Sequence, residues 1–325
     1  MRIPTRLLLL ATATALLFFG SAPSISAQRN PTMPEQQREN DKEALFAKFI
    51  ELKQVPIAER QRLAFDVGKE YLFKFGRDND ANARTVQKFV TEYAKVRHAY
   101  EIDTAYGAKN YTKTFELGRP ILKQEPDNFH VLAVMTEAGY DNLQAGNASL
   151  NAETIQYARK AIQLVDDGKV TQPDPFTSID IARGYLNFTL GWLLKEQSPV
   201  EAAGAFLKAA QSDSPYRTEP LVYNRLGIAI LKGEYQQLSA EYNEKFGNKP
   251  PSAEQQAMLE KIIHLSERAI DAYARAYALS NNPQQQEART KMLAQLTTLY
   301  KTFHNNSDAG LNELLATVLS KPLPR

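Results

Sequence analysis

The chain has 325 residues, 43% of them hydrophobic, with fifteen Tyr, fifteen Phe and no cysteine. That content supports a sizeable core and excludes an intrinsically disordered chain, while the lack of cysteine excludes disulfides, thiolate nucleophiles and Cys-ligated metals. Lys plus Arg number 39 against 37 Asp plus Glu, and the signs balance once Arg2 and Arg6 are set aside, so no concentrated positive charge points to a nucleic acid or an anionic membrane.

Residues 1–27 have the layout of a secretory signal peptide. A basic start at Arg2 and Arg6 precedes an apolar stretch from Leu7 to Gly20, and Ile25-Ser26-Ala27 offers a cleavage site before Gln28. The apolar stretch is shorter than the ~20 residues a spanning helix needs, although a retained anchor is the alternative. The expected location is therefore outside the cytoplasm, periplasmic or extracellular in a bacterium, with no membrane span after processing. Residues 28–39 are polar and hold Pro31 and Pro34, which reads as a flexible leader.

From Asn40 onward apolar residues recur at spacings of three and four, the period of an amphipathic helix. Val86, Phe89, Val90, Tyr93, Val96 and Tyr100 mark one face of a long helix beginning near Asn82. Met258, Ile262, Leu265, Ala269, Tyr273 and Ala276 mark another after Ser252, and Met292, Leu296, Leu299, Tyr300 and Phe303 a third. No segment alternates in the manner of a strand, so the expected class is all-α. Prolines fall near the ends of these segments, at Pro56, Pro126, Pro173, Pro199, Pro215, Pro250 and Pro283 among others. Helix, turn, helix, proline recurs along the chain and suggests stacked hairpins.

The clearest unit runs from about Gly184 to Pro215. Leu190-Gly191 lies in its first helix, Ala203, Leu207 and Ala210 in its second, and Pro215 closes it. This pattern resembles the tetratricopeptide repeat, a helical hairpin of about 34 residues. Gly191 and Ala203 are the expected points of close helix approach, and Ala210 leaves room for the next hairpin. A second match holds Tyr223, Leu226 and Gly227. Its second helix is displaced by an insertion over about 234–256 to Ala269, Tyr273 and Ala276, with Pro283 arriving late. Two earlier units are more degenerate. One follows Asn110-Tyr111 and contains Pro120, which is expected to kink or break its helix; the other pairs Phe129–Leu143 with Thr154–Leu164. The resemblance implies an α-solenoid of antiparallel helix pairs over 94–283, a tetratricopeptide-like superhelix, with flanking helices at 40–93 and capping helices at 284–325. Ser307 or Asp308 is the expected cap of the last helix.

Residues with chemistry are sparse. His98, His130, His264 and His304 share no metal-ligand spacing, so no metal site is expected. Asp78, Asp80 and Asn82 faintly suggest a calcium loop. Ala83 stands where glycine is required and Phe89 where a bidentate Glu is required, so the loop reads as a helix cap. No nucleotide or nucleophile motif occurs, and no cofactor is expected. The resemblance implies that the first helix of each hairpin lines a concave groove that receives a peptide or helix. Carried over position by position, it places Tyr185, Phe188, Trp192 and Lys195, then Asn224, Arg225 and Ile228, on that side. The expected function is a non-catalytic protein–protein interaction scaffold of the bacterial envelope. The alternative is a helical enzyme of cell-wall polysaccharide or peptidoglycan turnover, for which a buried Glu in a cleft is the signature.

Overall fold

A computed structural model of the chain describes residues 34–247, 249–281 and 286–324. The expected signal peptide, the start of the leader and Pro283 lie outside these residues. The described residues form helices and no strand. They divide into two compact units, one ending at Val90 and one beginning at Thr91.

The first unit is built from α1 (Glu35–Lys53), α2 (Ala58–Phe75) and the start of α3 (Ala81–Gly107). α1 begins at Glu35, so the last part of the expected leader is helical. Pro34 precedes a run of good helix formers, Glu35 to Glu39, whose polarity masks their helix propensity. Phe49, Tyr71, Phe75 and Val86 are buried together, with Phe89 edge-on to Phe49 at 5.3 Å between centroids. α2 reaches α3 closely at Gly68, where an added Cβ would stand 2.8 Å from Val90. Asp80 caps α3 by accepting from the Ala83 amide at 2.7 Å. Lys42 bridges Asp78 and Asp80, 2.7 Å from each carboxylate, and its ammonium supplies the positive charge that the calcium-loop pattern called for. The stripe along α3 is buried only near its start. Val86 is inaccessible, whereas Val96 and Tyr100 are 68% and 71% exposed.

The second unit continues from α3 through α4 (Tyr111–Gln124), α5 (Phe129–Gln144), α6 (Asn151–Asp166), α7 (Ile179–Leu194), α8 (Pro199–Gln211), α9 (Pro220–Ile230), α10 (Gln236–Phe246), α11 (Ala253–Leu279), α12 (Gln286–Phe303) and α13 (Leu311–Thr317). From α4 to α9 each helix packs on the next. The starts are set locally. Asn110, Asn128, Ser178 and Ser252 each accept from the amide three residues on, and Pro199 and Pro220 occupy first helical positions. α4 runs through Pro120 without a break, because Phe115 before it and Ile121 after it are both buried against α5. The last helix is entered by Gly310 at φ 92° instead of a Ser307 or Asp308 cap; Ser307 accepts from Ala309, and Asp308 pairs with Lys301.

Glycines mark where helices meet. A Cβ on Gly139 of α5 would strike Thr154 of α6, one on Gly191 of α7 would lie 2.9 Å from the Phe206 ring of α8, and one on Gly227 of α9 would lie 2.9 Å from the Tyr273 ring of α11. The expected partner of Gly191 was Ala203. That residue is only half-buried, Phe206 fills the space, and Ala202, Ala205, Ala209 and Ala210 are the buried small residues of α8. α9 packs on α11, with α10 between them in sequence, so the stretch 234–256 contains a helix of its own.

Alternate helices also lie side by side, which makes the packing solenoid-like. Arg119 of α4 forks onto Glu153 of α6 with two bonds of 2.8 Å, and Arg159 of α6 onto Glu201 of α8 at 2.8 and 2.7 Å. In the other layer Tyr140 of α5 meets Tyr185, Phe188 and Trp192 of α7 edge-on. The unit extends through α12 and α13, which pack on α11. Residues 286–324 therefore belong to the same compact unit, and the unit boundary falls at Val90–Thr91 where the sequence suggested 93–94.

Candidate partner-binding site

α7 is buried along most of its length, so few of its side chains reach the surface. Near its end Trp192 remains half-buried, and two cations address it. The Arg225 guanidinium of α9 lies 4.6 Å from the Trp192 ring and the Lys195 ammonium 5.1 Å, both within cation–π range. Neither cation has a carboxylate partner among the described residues, and Arg225 Nε is buried without a hydrogen bond.

Lys195 and Arg225 form one wall of a cavity of about 400 Å³. Ile228, Leu231 and Tyr273 supply its apolar surface, with Lys232, Glu196 and Gln295 around it. Lys232 and Glu196 pair at 3.1 Å, which holds the Glu196 carboxyl below its ordinary range. A second cavity of about 500 Å³ shares Leu231, Tyr273 and Gln295 and runs on to Thr298 and Thr302 of α12. At this junction α9 passes into α10 through a π turn, Leu231–Tyr235, that bends at Gly233. Gly233 is pressed so closely on the start of α8 that a Cβ would stand 2.9 Å from the Val200 amide nitrogen. Interruptions of this kind inside helices are frequent at functional sites.

The seven residues picked from sequence separate into three groups. Lys195, Arg225 and Ile228 line the cavity, and Trp192 lies behind the two cations without lining it. Phe188 is 6% exposed and sits among Tyr140, Trp192, Phe206 and Tyr216, so it is core. Its place at i−4 from Trp192 puts it on the same side of the helix, but deeper under its neighbours. Tyr185 packs on Phe176, Tyr140 and Tyr216, and Asn224 does not line the cavity. Leu231, Lys232, Tyr273 and Gln295 were not picked. Leu231 and Lys232 follow α9 directly in the π turn, while the pairing of α9 with α11 and of α11 with α12 brings in Tyr273 and Gln295, and no local pattern reports those pairings.

A second polar locus lies on α5. Burial, reinforced by Asp141 and Asp103, lifts the Glu137 carboxyl from 4.5 to about 7. Glu137 has no hydrogen-bond or ion-pair partner among the described residues. Asp141 accepts from the Tyr106 hydroxyl at 3.0 Å, and His130 stands between Asp103 and Asp174, 2.9 and 2.6 Å away. Burial also raises the Tyr185 hydroxyl and pushes that of Tyr216 up to about 12. A cavity of about 490 Å³ elsewhere is bordered by the C-terminal segment, where Arg275 binds Asp271 at 2.6 Å and the carbonyls of Lys321 and Pro322 at 3.0 Å each. Glu137 lines none of these three cavities.

Among the described residues no group of His, Asp and Glu could hold a metal ion, and no helix is long and apolar enough to cross a membrane. No protein-family model matches the chain, and no curated protein matches it significantly.

Proposed function

We propose that the second unit is a tetratricopeptide-type array acting as a non-catalytic interaction scaffold of the bacterial envelope, with a peptide or helix of a partner protein lying in the groove beside Trp192. The single observation that carries this reading is the pair of cations without carboxylate partners, Arg225 and Lys195, which line an apolar recess and lie against the half-buried ring of Trp192. Trp and Arg are the residue types that dominate binding energy at interfaces. Arg119, which also lies over an aromatic ring, has its charge paired with Glu153, whereas Arg225 has no such carboxylate among the described residues. The Gly191–Phe206 and Gly227–Tyr273 contacts support the repeat reading, since each lets one helix of a hairpin settle on the next. Export follows from the layout of residues 1–27, and amino-terminal sequencing of the processed protein, expected to begin at Gln28, tests it.

The binding test compares Trp192→Ala and Arg225→Ala with the parent protein. Both are expected to lose the partner by tenfold or more while Arg225→Ala keeps its melting temperature. Full partner binding combined with a sharply lower melting temperature in both variants identifies the residues as packing and removes the groove from the account.

The enzyme reading keeps one supporting observation, the desolvated carboxyl of Glu137 beside Asp141. A general acid needs such a carboxyl within a substrate cleft. Release of soluble products from peptidoglycan, abolished by Glu137→Gln, is the result that would favour it.

A further inference from the structure

If the second unit is a scaffold, the chemistry of its groove narrows the class of partner, and the inference rests on that reading. We propose that the occupant is an acidic, amphipathic protein segment, whose internal carboxylates meet Arg225 and Lys195 while its apolar side chains enter the recess toward Leu231 and Tyr273.

Charge complementarity carries this. Three cations, Lys195, Arg225 and Lys232, border the cavity against one acid, Glu196, and that acid is already held by Lys232 at 3.1 Å. The remaining positive charge belongs to Arg225 and Lys195, which have no carboxylate partner among the described residues. Four other long cations of the unit have such partners: Arg119 with Glu153, Arg159 with Glu201, Lys208 with Asp166 and Arg275 with Asp271. Arg225 is only partly buried and its guanidinium rests 4.6 Å from the Trp192 ring, so its charge is positioned by an aromatic face and not by an anion, which leaves it for an incoming carboxylate. The apolar recess continues past the cations through Leu231 and Tyr273 to Thr298. That combination suits Glu or Asp interleaved with Leu or Phe. Two cations on two different helices match two carboxylates along a passing segment better than one terminal group.

Trp192 is the only Trp in the chain, so its fluorescence reads this site directly. Three probes are titrated: an acetylated, amidated helix-spaced peptide of Glu and Leu; the same peptide with Lys for Glu; and one with Gln for Glu and a free C-terminal carboxylate. The Glu peptide is expected to shift Trp192 emission and bind at least about tenfold tighter than the Lys peptide, with affinity falling as salt rises. The double substitution Lys195→Glu with Arg225→Glu is expected to reverse that order. The wild-type order and its salt dependence stand without the variant should it fold poorly. Equal binding of the Glu and Lys peptides, or a preference for Lys, overturns the acidic assignment and leaves the groove as a peptide site. Binding of the free-carboxylate probe alone overturns the assignment in favour of a chain terminus. Binding of none of the three overturns the scaffold reading and this one together.

Discussion

Glu137 gives the account a quantitative test. Its carboxyl lies among Tyr106, Tyr185 and Tyr216, near Asp141 and Asp103, and burial with those two carboxylates raises it from 4.5 to about 7. A carboxyl that is harder to ionise in the folded chain than in the unfolded one favours folding while it is neutral. The favourable contribution is complete below pH 4.5 and fades as pH rises through about 7, because the folded state then surrenders a proton that the unfolded state has already lost. At ~1.4 kcal/mol for each pH unit between the two values, the full penalty is about 3 kcal/mol, and the residual contact of the group with water reduces it to about 2. Glu137→Gln keeps the shape and removes the charge. Urea denaturation of the two proteins is expected to coincide near pH 4.5 and to separate progressively to about 2 kcal/mol in favour of the variant near pH 8. Comparing the variant with the parent at each pH cancels most other titrations. A constant difference across that range, or a variant less stable at pH 8, refutes the idea that Glu137 is desolvated. A protein that retains a destabilising carboxyl invites a use for it, which is why the same variant also enters the peptidoglycan test.

Two further predictions concern packing. Gly191→Ala is expected to destabilise by about 1–2 kcal/mol, overpacking against Phe206 outweighing the gain of about 1 kcal/mol in helix propensity. Phe206→Leu relieves that clash, so a double-mutant cycle is expected to show coupling of about 1 kcal/mol, and simple additivity contradicts the close approach. Arg275→Met strands Asp271 and the carbonyls of Lys321 and Pro322 without their donor, and about 3 kcal/mol of stability is expected to go, measured by thermal denaturation. An unchanged melting temperature rules out the anchoring role of Arg275.

What the sequence revealed came from local chemistry. The stripes after Ser252 and near Met292 became α11 and α12, because a helix period and a capping Ser252 are written within a few residues of one another. Leu190-Gly191 and Leu226-Gly227 marked two close approaches correctly, but not what fills them. That depends on how far each second helix is rotated: Phe206 stands where spacing assigned Ala203, and Tyr273, although part of the repeat pattern, was not paired with Gly227 by spacing alone. The helical start at Glu35 stayed hidden because residues 35–39 are mostly exposed and polar, so no apolar period reports them. Of the candidate site, Trp192, Lys195, Arg225 and Ile228 were legible because the hairpin pattern fixes which side of α7 and α9 they occupy. Tyr273 and Gln295 were not, since they arrive from helices whose pairing with α9 is a tertiary event. Glu137 gave no signal at all: an acid in a helix is ordinarily solvated, and only the neighbours brought by α3 and α7 bury this one.

The most direct measurement places a photo-reactive residue at Ile228, inside the groove, and another at Val200, which is 45% exposed and does not line the cavity, then irradiates the native envelope. A discrete adduct from position 228, absent from position 200 and lost when Arg225→Ala is added without change in melting temperature, is the predicted result. Equal adducts from both positions, or an adduct at 228 indifferent to Arg225, contradicts the assignment of this groove as the docking surface.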